Sequence, residues 1–417
     1  MPNNNKDSCI NEFDPNALDE NQAISKIVKS VVPIRETETI NIKNAVNRSC
    51  ATNIKAEISI PSFKNSAMDG YAVNLAGLKK NNYKLTEIAT SLAGKPYNKN
   101  LKKNETVRVM TGALVPDNSD AVIMKEMTQT NDQLICFSTN VKKNQNIRFI
   151  GEDIKKGQII LKKGDAINYS AISILSSLGV EKVKVIRKPI VNFFSTGDEL
   201  IRTGGKLKLG QIYDSNRYLL HGLLSKLPVK IKDLGIVKDK RSAIMTKLTH
   251  AAKSSDIIIS TGGVSVGDAD FIKDALEEIG KVNFWKISIK PGRPLAFGKI
   301  KNSLFFGLPG NPVSAAVTFQ LFVMPAINKI MSKRKCANII IKAITKTELR
   351  KKPGRTEYKR AILSEKNGKY FVESSGLQGS NIMLSLLKAN CFIRLSSEVR
   401  SIKSNSIVEV IPFQNYI

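Results

Sequence analysis

Between residues 190 and 331 the chain alternates short apolar runs with amphipathic stretches, and no other feature constrains the fold as tightly. The runs at 190–194, 229–237, 257–259, 284–289 and 303–306 have strand length and are rich in Ile, Val and Phe. The stretches at 217–227, 241–253, 271–279 and 313–331 repeat their apolar residues at helical spacing. Strands alternating with helices predict a parallel sheet with helices on both faces. In such sheets ligands bind beyond the carboxyl ends of the strands, so the chemistry is expected on the loops there.

Three of those loops are built from small residues. FSTGDEL at 194–200 presents Ser195, Thr196 and Gly197. STGGVSVGDADF at 260–271 presents Gly262, Gly263 and Ser265. GLPGNPVS at 307–314 presents Pro309, Gly310, Asn311 and Pro312. Glycine lets backbone amides approach an anion closely, and a following helix N-terminus adds partial positive charge. Pro312 suits the first turn of a helix and stiffens the loop before it. The lysine of a Walker loop is missing. Five carboxylates, Asp198, Glu199, Asp239, Asp268 and Asp270, fall just after the expected strands. One such residue alone is equally well a helix cap. Five together repel one another unless a cation sits among them, and oxygen ligands suit Mg²⁺ shared with a phosphate-bearing substrate. WKISIKPGRP at 285–294 adds Lys286, Lys290 and Arg293. Lys290 and Arg293 flank a Pro-Gly turn, where a fixed anion contact is readily built. The expected ligand is therefore polyanionic, metal-assisted and phosphate-bearing.

The rest of the 417-residue chain divides by texture. A packing helix is expected over 15–32, and short β runs separated by Gly, Pro and Asn fill 55–148. Segments 1–54 and 149–186, the latter with a helix at 170–178, make a discontinuous linking domain. The α/β domain spans 187–333, and 334–417 returns to short β runs that read as a small barrel. Within the β-rich module, tight turns expose Asp69 in SAMDGYAV, Thr111 in RVMTGALVP and, just past it, Asp153 in IRFIGEDI.

The net charge of +29 raises the question of a nucleic-acid partner. The lysines are scattered along the whole chain, with no basic helix or arm, so they read as solvated faces and nucleic acid is not expected. Five cysteines without CxxC spacing read as reduced thiols, and two histidines without ligand-spaced partners argue against zinc or a His-based triad. The start, MPNNNKDSCINEFD, has no apolar h-region, and no apolar run is read as membrane-spanning, so a cytoplasmic protein is expected.

SAMDGYAV, RVMTGALVP, IRFIGEDI, STGDEL, GQIYDSNR, STGGVSVGDADF, WKISIKPGRPLAFG and GLPGNPVSA occur in that order over essentially the whole chain. In this the sequence resembles the molybdopterin molybdenumtransferase family, which includes bacterial MoeA and the E domain of gephyrin. The resemblance implies an elongated four-domain homodimer whose cleft lies between the α/β domain and the β-rich module of the other subunit. It implies insertion of molybdate into adenylylated molybdopterin with Mg²⁺-dependent release of AMP. Asp69, Thr111, Asp153, Glu199, Asp239 and Asp270 would be catalytic, with Glu199, Asp239 and Asp270 holding the metal. The strand-end residues above, with Asp268, Asp214, Ser215 and Asn216 of GQIYDSNR, Lys286, Lys290, Arg293 and Arg360, would bind substrate. Molybdopterin adenylyltransferase and apo-molybdoenzymes are implied partners. Two alternatives stand beside it: the adenylyltransferase itself, which has no β-rich module, and a non-catalytic scaffold or nucleic-acid binder. Lys64 departs from the family pattern, which more often has an acidic residue there.

Overall fold

The computed structural model describes residues 17–264, 271–334 and 339–413. In the α/β domain a six-stranded sheet runs in the order Lys230–Val237, Ile190–Thr196, Ile257–Thr261, Ser303–Leu308, Pro294–Ile300, Lys281–Lys286. Its residues alternate between two cores, as the period of two in a strand requires. Val191, Phe193, Ile257, Ile259, Leu304 and Phe306 face one core. Phe194, Ile258 and Phe305 face the other. The helix Asn216–Ser225 and the helical run from Pro312 cover the first face through Leu220, Leu224, Phe319 and Phe322. Arg241–Ala251 and Phe271–Ile279 cover the second through Ile244, Leu248, Ile272 and Leu276. Side chains buried this completely contribute about 1.5–3 kcal/mol each, which is why the apolar runs dictate both layers.

The sheet departs from the sequence expectation in three places. Only its first four strands pair in parallel; Pro294–Ile300, not foreseen as a strand, runs the opposite way and pairs antiparallel with both Ser303–Leu308 and Lys281–Lys286. The two-residue turn at 301–302 makes this hairpin, with Lys301 at φ +53°, the sign that matches strand twist. The run read as one strand over 284–289 is broken. Lys281–Lys286 ends in this sheet, and Ile289–Lys290 leaves it to pair in parallel with Thr356–Glu357 of the C-terminal domain. The long helix expected over 313–331 has a π-helical turn, Phe319–Val323, between Pro312–Thr318 and Met324–Ile330. Pro325 cannot donate a backbone hydrogen bond to the preceding turn, and the wider turn absorbs that. Contrary to the reading that no run is long enough to span a membrane, Pro312–Ile330 meets that length and hydropathy; 83% of it is buried in the protein, as befits a core helix.

The other three bodies are smaller. Thr37–Asn41 pairs antiparallel with Lys182–Ile186 and packs with the helix Tyr169–Ser177, bringing together two segments distant in sequence. The helix Glu20–Ser30, capped by the Asp19 carboxylate, packs its Ala23 and Ile27 on the α/β core instead. The β-rich module is a six-stranded mixed sheet around Tyr71, Val73, Ile123 and Ile135. In the C-terminal domain five strands close into a barrel, because Thr356–Lys366 pairs with both Lys369–Ser374 and Cys391–Leu395.

Candidate active site

Register brings the three small-residue loops to one level. Ser195 lies opposite Thr261, and Thr261 opposite Leu308, so three adjacent strands end together. Their close approach depends on glycine. A Cβ on Gly262 would stand 2.2 Å from the carbonyl oxygen of Thr196, and φ is +82°. A Cβ on Gly310 would come within 3.8 Å of the Gly262 Cα, an ordinary van der Waals distance. A Cβ on Gly197 would fall on the carboxylate of Glu199, which folds back over that glycine.

Around these ends the polar side chains are tied to one another. Ser195 Oγ donates to Asp214 Oδ1 at 3.0 Å and also lies 3.0 Å from Thr261 Oγ1. Asp214 accepts from Arg217 through its backbone N–H at 3.2 Å and Nε at 3.1 Å. Its carboxylate is 1% exposed, so in this structure Asp214 fixes the loop. Arg217 has a carboxylate on either side, Asp214 and Asp233. Thr196 Oγ1 donates to Asp239 Oδ1 at 3.0 Å, and the Asp239 N–H donates to Asp198 Oδ1 at 3.2 Å. Asn216 Nδ2 donates to the Gly310 carbonyl at 2.6 Å, while its Oδ1 is buried without a partner. Ser215 precedes the helix Asn216–Ser225 without capping it through its side chain. Ser265, Asp268 and Asp270 lie outside the described residues.

A cleft adjoins these strand ends through the 309–311 loop. With a volume of about 570 Å³, it opens between the α/β and C-terminal domains, lined by Lys290 to Pro294, Pro309, Asn311 and Ser314 on one side. Arg350, Arg355, Glu357, Tyr358, Lys359 and Gln378 to Ser380 line the other. Five cations surround it, and Glu357 is the only carboxylate in its described lining. Asn311 Nδ2 donates to Ser380 Oγ at 3.2 Å, so the Pro-Gly-Asn-Pro loop, which follows a central strand, is tied to the C-terminal domain across the cleft. Lys286 is half-buried on its strand opposite Pro294 and does not line the cleft.

Arg360 is likewise buried among its own domain's groups. Its side chain is 1% exposed, with Nε donating to Ser385 Oγ and Nη2 to the carbonyls of Leu377 and Gly379. It holds the 377–379 loop, which lines the cleft, in place. The residues missed on this strand are its neighbours Glu357 and Lys359. The signal was the period of two in Glu-Tyr-Lys-Arg, which turns Glu357 and Lys359 to one face and Arg360 to the other.

In the β-rich module, Asp69 and Thr111 are brought together from separate turns. Asp69 Oδ1 accepts from both the backbone N–H and the hydroxyl of Thr111, each at 2.7 Å. These two donations, the backbone one first, hold the Asp69 carboxyl below the usual range. Asp153 is exposed, on a turn anchored by its N–H to the Ile60 carbonyl. None of these described hydrogen bonds reaches the α/β domain. Lys64, the residue that departs from the pattern, points inward and donates to the carbonyls of Ser119 and Asp117.

Comparison with known proteins agrees across the whole chain. The family model of the MoeA N-terminal region (domain I and II) matches residues 18–179. That of the probable molybdopterin binding domain matches 192–329, and that of the MoeA C-terminal region (domain IV) matches 342–413. The molybdopterin molybdenumtransferase of Haemophilus influenzae is 43% identical over 399 residues, covering 95% of this chain and 98% of that protein. The chain belongs to the molybdopterin molybdenumtransferase family. Its relative of the same name in Bacillus subtilis is 32% identical, covering 90% of each chain. The crystal structure of the molybdopterin biosynthesis MoeA protein of Pyrococcus horikoshii OT3 superimposes with a TM-score of 0.82 at 29% identity, covering 95% of this chain and 100% of that one. The family is one of transferases in molybdenum cofactor biosynthesis, and the β-rich module rules out an adenylyltransferase built on the α/β domain alone.

The donor set of this family member fits a hard divalent cation. Glu199 and Asp239 offer oxygen only, on a solvent-facing rim beside strand-end amides. That is the setting in which Mg²⁺ is shared between carboxylates, water and a substrate phosphate. Among the described residues no three His, Cys, Asp or Glu side chains gather as a closed metal cage, and the third candidate, Asp270, lies outside them.

Proposed function

We propose that the chain inserts molybdate into the dithiolene of adenylylated molybdopterin, with Mg²⁺-dependent release of AMP. The observation that carries this reading is the loop at 309–311, which follows a strand level with the glycine loops and also lines a cationic cleft. The strand-end pocket offers glycine amides and carboxylates, suited to a phosphate with its metal. The neighbouring cleft offers five cations and fewer carboxylates, suited to a small oxyanion held by charge. A reaction that joins an oxyanion to a nucleotide-activated substrate requires such a pair side by side.

The residues then divide the work. The amides of Gly263 and Gly310 hold and orient the phosphates, Gly262 donates its own N–H to the Leu308 carbonyl and so joins the loops, and Lys290 and Arg293 offset negative charge on the oxyanion. Asn311, restrained by Ser380, and the rigid Pro309 and Pro312 keep the two cavities in register. Glu199, Asp239 and Asp270 would hold Mg²⁺, which when bound supplies Lewis acidity toward the pyrophosphate. The sulfurs that receive molybdenum belong to the substrate, so no protein thiol or imidazole is needed. Positioning and electrostatics carry the rate. We place Asp69, Thr111 and Asp153 in the cleft of a partner copy, a homodimer arrangement supported by their isolation from the α/β domain within one chain. A cytoplasmic setting fits this chemistry.

The test is AMP release from adenylylated molybdopterin with Mg²⁺, with and without molybdate. Molybdate-dependent release, with transfer of active cofactor to an apo-molybdoenzyme, is the expected result. A folded dimer that releases no AMP under these conditions would overturn the reading.

A further inference from the structure

An anion cleft with a nearly buried carboxylate inside it is an apparent contradiction, because the carboxylate repels whatever the cations attract. Glu357 is that carboxylate. Its side chain is 9% exposed, and one oxygen, Oε1, lies 3.1 Å from Lys359 Nζ and 3.5 Å from Lys290 Nζ. The two lysines come from different domains. Lys290 stands beside Glu357 in the short parallel pairing of Ile289–Lys290 with Thr356–Glu357, so the contact is set by backbone register. The lysines differ in freedom: the Lys359 side chain is 11% exposed, whereas that of Lys290 is 57% exposed.

We propose that Glu357 is a positioning residue, an internal counter-anion that holds Lys290 and Lys359 together across the domain boundary and limits how tightly the cleft grips a tetrahedral oxyanion. The inference rests on the cleft being the oxyanion site and deepens that reading. In the empty cleft Glu357 offsets the mutual repulsion of the cations. When a dianion enters, the exposed Lys290 exchanges Glu357 for the ligand, while the buried Lys359 stays on Glu357. As the ligand leaves, Glu357 takes Lys290 back. Binding strength is thereby surrendered for release, which is useful where an oxyanion must be passed on to a second substrate instead of being stored.

Two substitutions separate charge from shape. Glu357→Gln keeps an acceptor oxygen for both lysines but removes the charge; Glu357→Ala removes both. Molybdate and sulfate are titrated calorimetrically into the full-length protein at several ionic strengths, and turnover is followed in molybdate. Removing one charge at this range is expected to tighten the Glu357→Gln Kd for molybdate about tenfold. Its KM should fall and its kcat should fall with it, because release slows. In Glu357→Ala the lysines separate, and Kd and KM should rise about tenfold with a steeper dependence on salt. In the background of Lys290→Met, Glu357→Gln should no longer tighten binding, a cycle that reads the coupling even if one single variant is poorly folded. Equal shifts in the same direction for the Gln and Ala variants, or no shift in either, would overturn the role of Glu357 while leaving the oxyanion site standing. A wild-type protein that binds neither molybdate nor sulfate would overturn the oxyanion reading of the cleft and this inference with it.

Discussion

In the strand-end pocket the polar groups are pinned to their neighbours: Ser195 to Asp214, Asp214 to Arg217, Thr196 to Asp239, Asn216 to Gly310. In the adjoining cleft the groups are long, charged side chains contributed by two domains, and one carboxylate faces five cations. The first cavity is shaped by backbone and glycine and can hold a ligand without rearranging. The second is shaped by charge and can rearrange as a ligand comes and goes. A transferase with two substrates gains from the difference, since one substrate must be held still while the other is delivered.

The sharpest way to break the comparison is to test the rigidity of the pocket. Gly262→Ala places a Cβ 2.2 Å from the Thr196 carbonyl oxygen at a φ of +82°. It is expected to cost about 2–4 kcal/mol of stability. Displacing the strand end by even ~1 Å should lower turnover about 10²-fold. Urea unfolding and AMP release measure the two effects, and a variant with wild-type values for both would mean the pocket is as pliant as the cleft. The next effect splits two aspartates on different loops, Asp214 and Asp239. Asp214→Asn breaks a buried pair with Arg217 and should cost about 3 kcal/mol, with turnover per folded molecule nearly unchanged. Asp239→Asn should keep its unfolding midpoint and lose about 10²–10³-fold in rate. The reverse pattern would exchange their roles.

How much of this was legible in the sequence follows the same division. The α/β layers could be read from the runs at 190–194 and 257–259, because Phe193 and Phe194 must turn to opposite cores whatever else the chain does. The three loops could be read because each is a contiguous motif at a strand end. The cleft could not, since Lys290 and Glu357 meet only through a two-residue pairing between domains 67 positions apart in the chain. The resemblance implies Arg360, whereas strand periodicity is what turns Glu357 and Lys359 to one face of that strand. DSNR in sequence likewise does not reveal that Arg217 turns back onto the Asp214 carboxylate. The antiparallel edge of the sheet was missed because Pro294–Ile300 begins at a proline and contains Gly298, both weak strand signals.

The cleft is sharpened by a smaller effect. Lys290→Ala should raise the KM for molybdate about tenfold with little change in unfolding midpoint, because the side chain is largely exposed. The shift should shrink in high salt, as contacts between exposed charges do. An effect of equal size at all salt concentrations would mean that Lys290 acts by shape, as the pocket residues do.

The smallest expected effect concerns the β-rich module, whose Asp69–Thr111 pair is pinned like the pocket yet exposed like the cleft. The Thr111 hydroxyl and N–H hold the Asp69 carboxyl below its ordinary value of 3.8. A depressed carboxyl stabilises the turn above the unfolded value, and that contribution is lost as pH falls through the folded one. Thr111→Val removes the hydroxyl and keeps the N–H, so the Asp69 titration followed by carbon-13 NMR should move part of the way back toward 3.8. The rate of the proposed reaction near neutral pH should be left without a titration of its own from this pair, since Asp69 is ionised there with or without the hydroxyl. A titration unmoved by the substitution would show that the backbone N–H alone sets the charge. The hydroxyl would then be free to act on a ligand brought by the partner copy, and the module would belong with the rearranging cleft rather than the rigid pocket.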